Sequence, residues 1–203
     1  MVVKILGYGE LGKAFHKLFP QATIITENNL EEINNSIVIN CTPASALPEI
    51  SKYTPKHIIN CCKGMIDNKT ASDFFENISS IGGYYKANII TENLLLRVSR
   101  EIPDEILNYL KQYITIVRIN NSAKEVEMAG VIKNVLLLFN TQFSQDAFIH
   151  DYNGCIFNGS RNQKFSQLFF NDKKSVKEIE KDLGLIEGIS ISKQVLSDRC
   201  IKW

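Results

Sequence analysis

The chain opens on a short apolar run, Val2-Val3-Lys4-Ile5-Leu6, and passes at once into Gly7-Tyr8-Gly9-Glu10-Leu11-Gly12. This is G-x-G-x-x-G between a predicted strand and a predicted helix, Lys13-Ala14-Phe15-His16-Lys17-Leu18. In that context each glycine has a separate duty. Gly7 permits the tight turn, Gly9 lets the backbone approach a pyrophosphate, and Gly12 lets the helix pack close to the strand. The helix N-terminus then presents N–H groups and a partial positive charge to the phosphates. Thr23-Ile24-Ile25-Thr26 predicts a second strand, and Glu27 follows it, where an acid accepts hydrogen bonds from a ribose diol. A glycine-rich structural turn is the competing reading. The strand, the helix and the acid together favour dinucleotide binding.

The rest of the composition narrows the class. The chain has 203 residues, with 44% hydrophobic and 22% charged residues, an ordinary balance for a globule of one large or two small domains. A net charge of +1 supplies no field to recruit nucleic acid or an anionic membrane. No apolar run approaches the roughly 20 residues that span a bilayer. Met1 leads straight into the first strand, so neither a signal nor a transit peptide is expected, and the expected location is cytoplasmic. Cys41, Cys61, Cys62, Cys155 and Cys200 form no C-x-x-C and read as reduced, mostly buried thiols. Cys61 and Cys62 are expected inside one strand, facing opposite ways. His16, His57 and His150 lie far apart, and no metal site is expected.

Strand and helix signals alternate over the first 120 residues. Strands are predicted near 2–6, 22–26, 36–41, 57–62, 93–98 and 114–119, and helices over 10–18, 29–35, 44–51, 69–77 and 104–112. Apolar strands between helices predict a parallel sheet covered on both faces. At Asn120-Asn121-Ser122 the pattern changes. Ser122 and Glu125 form the S-x-x-E of a capping box, and Val126 to Phe148 holds no proline. Helices are also predicted over 163–170, 174–183 and 189–200. The expected fold is α/β, with a Rossmann-type dinucleotide-binding domain over 1–120 and a small all-helical domain over 121–203.

Several residues stand out as candidates for chemistry. Lys133 lies in Met128-Ala129-Gly130-Val131-Ile132-Lys133-Asn134-Val135-Leu136-Leu137-Leu138-Phe139, apolar on nearly every helical face. Burial would lower its pKa and make it a usable proton donor or acceptor. A lysine snorkelling from the edge of that face is the alternative. Lys63 ends the interior strand Ile58-Ile59-Asn60-Cys61-Cys62, where ligands of open α/β sheets sit. It suits a carbonyl oxygen, or it simply opens a surface loop with Gly64. Gly159-Ser160-Arg161-Asn162 reads as a phosphate grip at a helix start, or as a cap. Asp151 pairs with Lys133 or starts a turn with Asn153-Gly154. Thr42 and Pro43, after the third strand, pass under the cofactor or merely connect strand to helix.

Taken in order, these segments resemble the NAD(P)-dependent glycerol-3-phosphate dehydrogenases. The resemblance rests on the glycine turn, Lys63-Gly64, Gly130-Val131-Ile132-Lys133-Asn134-Val135, Ser160-Arg161-Asn162-Gln163-Lys164-Phe165 and Glu187-Gly188. It implies that Lys133 moves the proton at the C2 oxygen and that Lys63 and Asn134 bind substrate oxygens. Asp151 would support Lys133, Arg161 and Asn162 would hold the phosphate of a three-carbon substrate, and Glu187 would lie at the cofactor. Glu27, with no Lys or Arg from 22 to 35, points to NAD, with NADP the alternative. The chain also departs from the family pattern. Only eighteen positions separate Lys133 from Asp151, and G-P-x-F-A-x-E appears as Gly83-Tyr84-Tyr85-Lys86-Ala87-Asn88. A homodimer is expected to cover the apolar faces of so small a helical domain. An inactive, nucleotide- or phosphate-binding descendant is the alternative function.

Overall fold

The structure is a computed structural model that describes residues 2–83, 85, 87–138, 168, 172, 174 and 176–183. Side chains at 132–138, 176, 177, 180 and 183 lie outside that description. Two compact units make up the chain, Met1–Lys63 with Lys69–Met128, and Gly64–Asn68 with Ala129–Trp203.

The first unit is built on β1 (Val3–Leu6), which leads through the glycine turn into α1 (Glu10–Leu18) and then β2 (Thr23–Ile25). β3 (Ile37–Asn40) pairs with the other side of β1, with Ile5 opposite Ile39. α2 (Leu47–Ile50) precedes β4 (His57–Asn60), and β5 (Ile78–Gly82) lies beyond it. β6 (Leu96–Val98), α3 (Asp104–Leu110) and β7 (Ile116–Arg118) complete a seven-stranded sheet of order β2-β1-β3-β4-β5-β6-β7. β3 and β4 are buried at every position, as central parallel strands must be when both faces are covered. Phe15 of α1 packs with Val3, Ile5 and Ile59 in the main core. Its side chain is fully buried, which contributes roughly 2–3 kcal/mol.

Four expectations need correction. The sheet is not wholly parallel, because β6 runs antiparallel to β5. A parallel neighbour needs a crossover, usually helical. Here the chain turns back at Gly83, whose φ is +101°, and no helix intervenes among the described residues. The helix expected over 69–77 is a single 3-10 turn, Ala71–Asp73, closed by a Thr70–Asp73 capping box, and β5 follows. The helix expected over 29–35 is likewise one 3-10 turn, Leu30–Ile33. Finally, β4 ends at Asn60, so Cys61 and Cys62 sit just past the strand, both buried.

α4 (Ala123–Leu138) begins where Ser122 and Glu125 predict. Ser122 N–H donates to Glu125 Oε2 (2.6 Å), and Glu125 N–H donates back to Ser122 Oγ (3.2 Å). Lys124 pairs with Asp73, tying the first turn of this helix to the 3-10 turn. In the second unit Met65 and Val131 pack together, and a helix spans Val176–Leu183 with Ile179 fully buried. No described helix is long and apolar enough to cross a membrane.

Candidate functional site

The strand order reverses at β1, whose neighbours are β2 on one side and β3 on the other. Open α/β sheets bind ligands outside the carboxyl ends of the strands at such a switch point. The glycine turn and Cys41-Thr42-Pro43 both lie there. Gly7 has φ +88°, and its N–H donates to Ile25 O at 2.9 Å. A side chain on Gly7 would meet Thr42 Cγ2 at 2.9 Å, so the turn rests on the segment after β3. A Cβ on Gly12 would lie 1.9 Å from Gly7 O, which only glycine avoids. The space a Cβ would take on Gly9 has no protein atom within 4 Å. The fold's own packing therefore gives no reason for glycine at position 9, whereas approach of a phosphate does. Gly9 is also the N-cap of α1, and no side chain caps that end. These features fit a dinucleotide pyrophosphate.

The other residues expected near the cofactor are distributed around this turn. Tyr8 is exposed, with Lys13 Nζ 5.6 Å from its ring centroid and the His16 ring edge-on at 5.9 Å. Glu10 is exposed and Leu11 half-buried in the first turn of α1. Glu27 is exposed in the turn after β2. Thr42 is half-buried, with its N–H and Oγ1 both donating to Asn40 Oδ1 (3.1 and 2.7 Å). Pro43 is exposed beside it. Cys41 is held protonated, because the neighbouring Cys61 thiol and burial push its pKa well up.

Lys63 lies three residues past β4 and is half-buried. Its Nζ donates to Gly83 O at 2.7 Å and sits 3.7 Å from the Tyr85 ring centroid. Tyr85 Oη in turn donates to Cys61 O at 2.9 Å. The lysine's cation is thus placed by a carbonyl and an aromatic face, contacts that suit ammonium. Lys133 and Asn134 have helical backbone in α4, and their side chains lie outside the described residues. Asp151, Arg161, Asn162 and Glu187 lie outside them altogether.

One group went unnoticed in the sequence. Glu127 of α4 is 3% exposed. Its Oε1 accepts from Asn60 Nδ2 (2.9 Å) and Ser80 Oγ (2.5 Å). Its Oε2 accepts from Ser72 N–H (3.0 Å) and Ser72 Oγ (2.7 Å). No ion pair reaches it among the described residues, so four neutral donors carry the buried carboxylate. The criterion that singles out Lys133, a charge within an apolar helical stretch, applies equally to Glu127 beside buried Val126 and Val131. No group of His, Cys, Asp and Glu able to hold a metal occurs among the described residues.

The sheet and its glycine turn define a Rossmann-type α/β protein of the kind found in NAD(P)-dependent dehydrogenases. Among solved structures, the chain is similar to the glycerol-3-phosphate dehydrogenase of Plasmodium falciparum, with TM-score 0.72 and 16% identity, over 96% of this chain and 85% of that one. The Saccharomyces cerevisiae glycerol-3-phosphate dehydrogenase matches with TM-score 0.72 and 15% identity, over 96% of this chain and 89% of the yeast one. That of Dunaliella salina matches with TM-score 0.67 and 12% identity, over 95% of this chain and 54% of that one. At these identities the likeness is one of fold. No family model matches the chain, and no curated protein matches it in sequence.

Proposed function

We propose that this chain is a dehydrogenase interconverting glycerol 3-phosphate and dihydroxyacetone phosphate, with NAD preferred over NADP. The observation that carries the reading is the glycine cradle: Gly12 locked against Gly7 O, with open space over Gly9. It occurs on a fold similar to glycerol-3-phosphate dehydrogenases over 96% of the chain. The ordered motifs around Lys63, Lys133 and Arg161 supply the substrate class. Exposed Glu27 after β2 supports NAD, since a carboxylate there repels a 2′-phosphate.

When bound, the nicotinamide supplies or accepts the hydride at C2. The chain's own residues do the rest. Lys133 holds or moves the proton at the C2 oxygen, and Asp151 orients it. Lys63 and Asn134 bind the substrate oxygens, where charge develops. Arg161 and Asn162 hold the phosphate, and Glu187 lies toward the cofactor. Residues 1–120 serve the nucleotide and 121–203 the substrate. The enzyme acts in the cytoplasm as a homodimer, which sedimentation of the full chain checks. The deciding experiment follows absorbance at 340 nm with dihydroxyacetone phosphate and NADH, then NADPH. Turnover with NADH supports the reading. Tight NADH binding without turnover points instead to the inactive descendant.

A further inference from the structure

We infer that Glu127 is a positioning residue for Lys63, acting through the side-chain amide of Asn60. The assignment of a role to Lys63 rests on the dehydrogenase reading; the positioning itself rests on geometry within the first unit. Asn60 is 1% exposed at the end of β4. Its Nδ2 donates to Cys62 O and its Oδ1 accepts from Cys62 N–H, both at 3.1 Å. One side chain thus clamps both polar groups of the residue directly before Lys63. The clamp works in only one amide orientation. An ionised carboxylate only accepts and a backbone N–H only donates, so Glu127 and Cys62 N–H select the same orientation. Asn40 Nδ2, donating to Asn60 Oδ1 at 3.1 Å, selects it a third time. Through Ser80, Glu127 also holds β5, the strand that leads to Gly83, whose carbonyl accepts from Lys63. The carboxylate therefore ties together the two strand ends that carry the lysine and its acceptor.

Glu127→Gln is the informative change. Each carboxylate oxygen faces an N–H that cannot become an acceptor, from Asn60 or from Ser72. The new amide must turn its NH₂ toward one of them. Facing Asn60, it flips that amide and sets two donors against each other at Cys62 N–H. Facing Ser72, it sets its NH₂ against the Ser72 N–H and leaves Asn60 its acceptor, so Glu127→Leu, which offers Asn60 no acceptor in either arrangement, is made beside it.

The test uses the full chain with ¹³C-labelled lysine. The Lys63 resonance, assigned by its loss in Lys63→Arg, is expected upfield in the wild type because of the Tyr85 ring beneath it. In folded Glu127→Leu that ring shift should collapse, as it should in Glu127→Gln wherever the Asn60 amide flips, and kcat/KM for dihydroxyacetone phosphate should fall about 10- to 100-fold, mainly in kcat. In a Lys63→Ala background Glu127→Gln should cost nothing further. A ring shift retained in Glu127→Leu, or an undiminished loss without Lys63, overturns the positioning role. If Glu127→Gln does not fold, Asn60→Ser removes the clamp while leaving the carboxylate its other donors, and the same collapse is expected. A wild type that reduces no dihydroxyacetone phosphate removes the dehydrogenase reading alone, and the resonance still decides the positioning.

Discussion

Gly9 and Gly12 belong to one motif, yet the structure predicts opposite consequences for changing them. In Gly12→Ala the new Cβ would sit 1.9 Å from Gly7 O and 3.0 Å from Gly7 C. Both neighbours are backbone in a turn that Gly7 already holds at φ +88°, so neither yields cheaply. α1 must move away, and overpacking of this kind costs about 3 kcal/mol. For a chain of this size that lowers Tm by roughly 6–12 °C. In Gly9→Ala the Cβ meets nothing within 4 Å, and φ −70° with ψ −170° is open to any residue. The remaining cost is a poorer N-cap, about 0.5 kcal/mol, or roughly 1–2 °C. Cofactor binding should invert this order of damage. Gly9→Ala fills the space assigned to pyrophosphate and should weaken NADH at least about tenfold, a loss of ~1.4 kcal/mol. Thermal melting and fluorescence titration with NADH, run on both variants, check the pair. A folded Gly9→Ala protein with wild-type NADH affinity would refute the cradle, and a Gly12→Ala protein that melts normally would refute the packing.

His57 is buried, shares a 2.9 Å hydrogen bond with Ser79 Oγ, and has its pKa lowered to about 4 by burial, with Glu101 opposing slightly. The unfolded imidazole takes up its proton near 6.5, so stability is full above that pH and is lost as pH falls toward 4. About 2 kcal/mol should be gone by pH 5, measurable by urea unfolding at pH 7.5 and 5, and His57→Gln should flatten the difference. Lys133→Ala should lower kcat about 10²-fold or more with NADH affinity nearly unchanged; more than half the activity retained would make Lys133 a packing residue. Arg161→Ala should cost about 10- to 150-fold in kcat/KM for dihydroxyacetone phosphate while NADH affinity stays within about twofold. Glu27→Ala should narrow the preference for NADH over NADPH, read from the two Kd values.

The glycine turn was legible because every part of its logic is local. Strand, turn and helix are consecutive; Gly12 answers to Gly7 within the motif and Gly7 to the segment after β3, while Gly9 answers to no protein contact. The capping box that opens α4 was legible for the same reason, since Ser122 and Glu125 satisfy each other three residues apart. β5 was not. Ile78-Ser79-Ser80-Ile81 carries two serines at its centre, and nothing nearby marks it as a buried strand. Its serines are acceptable inside because Ser79 meets His57 and Ser80 meets Glu127, partners 22 and 47 residues away. The helix expected over 69–77 shrinks to the Thr70–Asp73 turn, because pairing of Ile78 with Ile58 claims the following residues for the sheet. Asn40 and Asn60 fall within the strands predicted over 36–41 and 57–62, and only parallel register sets them side by side. The sequence by itself determined where the glycine turn must form, because that is a matter of φ angles and missing Cβ atoms over six residues. Only the tertiary structure decided that Glu127 is a buried carboxylate satisfied by Asn60, Ser72 and Ser80. A buried carboxylate is stable inside a protein where donors from distant segments converge on it, and convergence is a property of the fold.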